Sequence, residues 1–139
     1  MKGWQWVVGL VLLAHGVGHI LGLFPVFKDD LASGWNARSW LLTDTIGETA
    51  SKVISAVLWS ACTILFVMAG LAVLGWGVPY DWWRTLAVVG AALSTVTLIL
   101  FWNGFPALFP NKIGALAVNL VILGGVLIWD WPTDEMLGH

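Results

Sequence analysis

Residues 4–27 read WQWVVGLVLLAHGVGHILGLFPVF. The stretch holds no Lys, Arg, Asp or Glu, and it exceeds the roughly 20 residues that an α-helix needs to cross the hydrocarbon of a bilayer. It predicts a transmembrane helix, ended by Pro25 and the charged Lys28-Asp29-Asp30. A secretory signal would carry a shorter apolar region, about 7–15 residues, followed by a small-residue cleavage site. Neither is present and two histidines interrupt the run, so a retained helix is expected.

The rest of the chain repeats this pattern. Of 139 residues, 59% are hydrophobic and 10% charged, with a mean hydropathy of +0.87. A soluble domain is about a quarter charged, so this composition cannot build a water-facing surface. Further spans are expected at about 49–75, 83–102 and 113–131, punctuated by Gly77-Val78-Pro79, Asn103-Gly104-Phe105-Pro106 and Pro132. Thr45-Ile46-Gly47-Glu48 has the spacing of a capping box at the start of the second span. The segment from Lys28 to Lys52, with Trp35 and Trp40, suits the lipid interface. Residues 1–139 thus form one integral membrane domain. Short connections force sequential spans to run antiparallel, which gives an all-α, four-helix, up-down-up-down bundle.

Tryptophans mark the span ends: Trp4, Trp6, Trp76, Trp82, Trp83, Trp102, Trp129 and Trp131 fit an interfacial belt, and Trp59 alone sits well inside a span. Lys28, Arg38, Lys52 and Lys112 lie on one side, against Lys2 and Arg84 on the other, which favours both termini outside the cytoplasm. The sequence 22–28, GLFPVFK, has an echo in 104–112, GFPALFPNK, consistent with a duplicated helix pair. A net charge of -2 without any basic run excludes a nucleic-acid partner. Cys62 is the single cysteine, so no internal disulfide forms.

The chemistry-bearing feature is His15-Gly16-Val17-Gly18-His19. Spacing i, i+4 puts both imidazoles on one helical face. Ionisable groups at that depth face the bundle interior and mark a functional site by default. Gly18 and Gly22 form G-x-x-x-G on the same side, suited to close helix packing. Counting about 10 Å inward from the Lys28 side of each span brings Ser60, Thr95 and Asn119 to the level of His19, as one polar layer. Glu48 reads as a capping carboxylate, with proton acceptor from His19 as the other role.

Three chemistries suit the histidines: a structural layer, a ligand or proton site, and a metal site. His15 and His19 can share one metal ion, but a third ligand is needed. Haem is disfavoured, because histidines one turn apart cannot take opposite faces of one porphyrin. The leading functional expectation is a non-enzymatic protein that binds a hydrophobic or amphipathic small molecule (lipid, quinone or isoprenoid) between its helices, or a subunit of a membrane assembly. The alternatives are a metal- or proton-dependent membrane enzyme using both histidines, and a small transporter acting as a homo-oligomer.

The segment HGVGHILG, residues 15–22, with the final helix IGALAVNLVIL, residues 113–123, resembles a group of small four-span prokaryotic membrane proteins. Their first helix carries H-G-x-x-H-x-x-G, and in outline they are similar to DoxX-like proteins. His15, Gly16, His19, Gly22, Gly114 and Asn119 match that pattern. The resemblance implies a four-span fold in a prokaryotic cytoplasmic membrane and no particular chemistry. Asn103 stands where the pattern has Asp, and a Phe-Pro-rich insertion follows it, so a carboxylate-dependent activity at that position is not implied.

Overall fold

The computed structural model describes residues 3–28, 34–105, 109 and 111–139; its regular structure is helical, with no strand among the described residues. Seven α-helices follow in order: α1 (Gly3–His19), α2 (Phe24–Phe27), α3 (Leu42–Ile46), α4 (Glu48–Leu74), α5 (Trp83–Leu100), α6 (Ile113–Ile128) and α7 (Asp134–Leu137). Three helical stretches, Gly3–Phe27, Glu48–Leu74 and Tyr80–Leu100, are long and apolar enough to cross a membrane; Ile113–Ile128 is a shorter apolar helix.

The first stretch is not one uniform helix. A 3-10 turn, Ile20–Gly22, separates α1 from α2. Pro25 has no N–H to offer the carbonyl one turn earlier, and the backbone tightens instead into a short-range bond from Leu23 N to Ile20 O, 2.9 Å.

The helices pack in sequence. α1 lies along α4, α4 along α5 and α5 against α6, while α1 and α6 barely approach each other. The closest approach between α1 and α4 falls at glycines: a Cβ on Gly16 would come within 3.0 Å of the Val67 backbone nitrogen, and one on Gly70 within 2.9 Å of the Gly9 carbonyl oxygen. Small residues there let the two backbones meet. At Gly18 a Cβ would meet nothing within 4 Å. The packing face is therefore offset from the expected Gly18–Gly22 pair: Gly16 approaches α4, and Gly22 lies under the Trp59 ring.

The bundle is polar or small inside and apolar outside. Ser51, Ser55, Ser94, Thr97 and Asn119 are fully buried beside Ala69, Ala72, Ala87 and Ala91, whereas Val53, Val57, Ile64, Val96, Leu120 and Val121 are each more than half exposed. Phe66 and Leu98 supply the bulk of the interior.

Three local features depart from the sequence reading. Thr45 donates to the carbonyls of Leu41 and Leu42, so the capping box does not form; Gly47 is instead the N-cap of α4, and its φ of +91° marks the turn between α3 and α4. Trp83, expected in the interfacial belt, is a core residue at 2% exposure. The segment after α6 is no loose acidic tail. Its chain reverses at Trp129–Asp130, Thr133 caps α7, and Leu137 joins the core cluster that also holds Leu12, Phe66 and Trp83. Asp130 is exposed and receives Arg84 Nη1 at 2.7 Å. The 22–28/104–112 echo and the Asp29-Asp30 stop lie partly outside the described residues.

The connection before α4 docks onto the end of α5. The Ser39 hydroxyl donates to Leu100 O at 2.6 Å and the Trp40 indole to Ile99 O at 2.7 Å. These carbonyls are among the last of their helix and have no partner within it, so the two side chains act as its cap. Trp35, one turn of chain earlier, meets Phe105 edge-on.

Candidate functional site

His15 and His19 stand on one face of α1, their rings edge to face with centroids 4.7 Å apart. Each reaches a different helix. His15 Nε2 meets Asn119 Oδ1 of α6 at 2.8 Å, and His19 Nε2 meets Ser94 Oγ of α5 at 2.7 Å. Asn119 Nδ2 donates to the same Ser94 oxygen at 2.8 Å, closing a ring of polar groups across three helices. His19 Nδ1 bonds to the carbonyl of His15 at 2.7 Å.

One fixed acceptor orders the whole set. A backbone carbonyl only accepts, so His19 Nδ1 carries a proton and donates. The ring partners are Asn119, the His15 carbonyl and Ser94, none of them a carboxylate, and neutral imidazoles suit an apolar interior. His19 Nε2 is then an acceptor, which receives the Ser94 hydroxyl proton. With that proton engaged, Ser94 Oγ accepts from Asn119 Nδ2, which turns Asn119 Oδ1 toward His15 and makes His15 Nε2 a donor. The two histidines are therefore opposite tautomers. His15 Nδ1 is left as an unprotonated acceptor, the one nitrogen of the pair with no partner among the described residues.

The aromatic surroundings hold the rings in place. Phe66 lies 4.6 Å from His15 and 5.3 Å from His19, centroid to centroid. Trp59 sits over Gly22, 5.6 Å from His19 and edge-on to Phe105.

Beside this layer is a cavity of about 370 Å³. It lies in the seam where α1 and α6 separate, walled by His15, Gly18 and His19 on one side and by Gly114, Ala115 and Val118 on the other. Trp35, Trp59 and Phe105 form an aromatic end. A second cavity, of about 280 Å³, continues along the same seam between Val7, Val11, Val121 and Ile122 and is almost wholly apolar; Val118 lines both.

Of the residues expected in the polar layer, the structure brings together His15, His19 and Asn119. Ser60 is half-buried on α4 and makes none of these bonds. Thr95 donates to Ala91 O within its own helix; Ser94, one position earlier, points inward. Glu48 is exposed at the start of α4, pairs with Lys52 at 3.3 Å, and both nitrogens of His19 are taken by other partners. Gly18 lines the cavity and packs against no helix. Cys62 is buried, its sulfur 3.9 Å from Thr97 Oγ1.

Among the described residues no three of His, Cys, Asp and Glu come together. A metal on the histidine pair would have His15 Nδ1 alone as a ready ligand, because the other three ring nitrogens are hydrogen-bonded. That donor set falls short of what a metal requires. No family model, no curated protein and no solved structure matches the chain.

Proposed function

We propose that the chain is an integral membrane protein, a four-helix bundle in up-down-up-down order, that takes a small amphiphile of the lipid, isoprenoid or quinone class into the seam between its first and fourth spans. One observation carries this reading: a cavity of about 370 Å³ sits beside a buried polar layer in an otherwise apolar interior. Its size is in the range of small-molecule sites, about 300–1,000 Å³, as is its lining of aromatic groups with few polar ones. The apolar cavity next to it suits a tail, with the polar layer at the head.

The membrane part of the proposal rests on the inverted distribution of residues. Water would leave Val53, Val57, Ile64, Leu120 and Val121 exposed as a continuous apolar surface, far larger than monomeric soluble proteins tolerate. Hydrocarbon accepts them, and small and polar groups then hold the helices together. At 1.5 Å per residue, α6 is about 24 Å long, short of the about 30 Å of hydrocarbon, and Trp129, Trp131 and Lys112 at its ends anchor it at the interfaces. The resemblance in residues 15–22 to small four-span prokaryotic membrane proteins agrees with this reading.

Gly18→Leu tests it. A Cβ there meets nothing within 4 Å and the residue lines the cavity, so the variant folds and fills the space. Native mass spectrometry of the protein released from membranes is expected to show a bound small molecule on the wild type and none on Gly18→Leu. A wild type that carries none, and acquires none from a total lipid extract, contradicts the proposal.

A further inference from the structure

We infer that the ligand group that meets His15 Nδ1 is a hydrogen-bond donor, a phenolic or alcoholic hydroxyl and not a carbonyl or ether oxygen. The inference rests on the binding reading above and deepens it. The His15 carbonyl fixes the His19 tautomer, which fixes the direction of each later bond through Ser94 and Asn119 to His15 Nε2. Nothing in that sequence can be reversed one bond at a time. Turning Asn119 over would present its amide to His15 and require Ser94 to accept from His19, which would leave His19 with protons on both nitrogens and a charge with no carboxylate partner.

His15 lines the cavity, and Nδ1 is consequently the one lone pair its ring has left to offer a ligand there. Of the other groups that bring polarity to this wall, His19 is fully engaged, Trp35 and Trp59 carry indoles whose N–H can only donate, and Asn111 carries an amide that both donates and accepts, so His15 Nδ1 is the wall's one side-chain group that can only accept. A ligand acceptor aimed at His15 would oppose lone pair to lone pair, whereas a hydroxyl completes the ring nitrogen. Once a ligand covers it, an acceptor left without a donor is costly, and its satisfaction discriminates more strongly than apolar contact.

The test uses two probes of the same shape, 4-octylphenol and its methyl ether 4-octylanisole, titrated into full-length protein labelled with ¹⁵N-histidine in bilayer nanodiscs. The phenol is expected to bind about tenfold more tightly than the ether and to move the His15 Nδ1 resonance, with both probes lost from Gly18→Leu. Equal affinities, with Nδ1 unmoved by the phenol, overturn the donor inference and leave the binding cavity standing. Binding of neither probe overturns the cavity reading on which the inference depends.

Discussion

Ser94 Oγ takes part in two hydrogen bonds at 2.7–2.8 Å, and Asn119 bonds at both ends of its amide. Removing either group therefore strands more than one partner in an apolar interior. Asn119→Leu, which keeps the bulk of the side chain, leaves His15 Nε2–H without an acceptor; it is expected to cost about 1–2 kcal/mol, read by reversible unfolding in mixed micelles. Thr95→Val is the control at the neighbouring position. Its hydroxyl bonds only to Ala91 of the same helix, and the change should fall within about 0.5 kcal/mol.

At this scale the sequence was legible in depth and blurred in direction. Counting residues inward put Asn119 at the level of the histidines, because rise per residue is nearly constant. Choosing between Ser94 and Thr95 required knowing the rotation of α5 about its axis, and one residue turns a helix by about 100°. A serine and a threonine in succession give composition no means to choose. The cost of threonine in that role is visible only in the structure, where its hydroxyl is already bonded to its own helix. Ser60 fails for the same reason on α4, where the interior face carries Ser55, Trp59 and Cys62.

Elements are joined here by glycine and alanine faces, and the consequences fall on α1. Gly16 touches the backbone of α4, where a Cβ has no flexible neighbour to displace. Gly16→Val forces the two helices apart and is expected to destabilise by about 1–3 kcal/mol; Gly18→Ala, two residues on, is neutral or stabilising by up to about 1 kcal/mol. Unfolding midpoints of the pair, measured together, separate packing from helix propensity. A larger loss at Gly18 than at Gly16 contradicts the assigned face. The heptapeptide from Gly16 to Gly22 holds three glycines, and periodicity alone ranked Gly18 with Gly22; the shift to 3-10 geometry at Ile20, caused by Pro25, alters the register between them. The long apolar helices were legible because apolar length and Pro or Gly punctuation are local properties. The capping of α5 by Ser39 and Trp40 was not, since it joins residues about sixty positions apart.

For the whole molecule, the decisive feature is that α1 and α6 part while α1 and α4, α4 and α5, and α5 and α6 close. The C-terminal turn tethers one end of this arrangement. Arg84 binds Asp130, the Pro132 carbonyl and Asp134, Tyr80 donates to Asp134, and Leu137 fills the core. Leu137→Ala is expected to cost about 2–5 kcal/mol and to loosen that end of the seam, seen as faster hydrogen exchange at Leu12 and Trp83, its core neighbours. The excess of Lys and Arg on the Lys28 side, four against two, predicts both termini outside the cytoplasm. Cysteine-free protein with a single cysteine introduced at Thr133 should react with a membrane-impermeant maleimide in intact cells; labelling only after lysis reverses the orientation.

The central claim is that both imidazoles face the bundle interior in one ordered polar layer. Nitrogen NMR of the histidine-labelled protein in bilayers reads it directly. Two slowly exchanging neutral rings of opposite tautomer are expected, His15 protonated at Nε2 and His19 at Nδ1, with the His15 pattern altered in Asn119→Leu. Two rings of the same tautomer, or averaged signals in rapid exchange with water, contradict it.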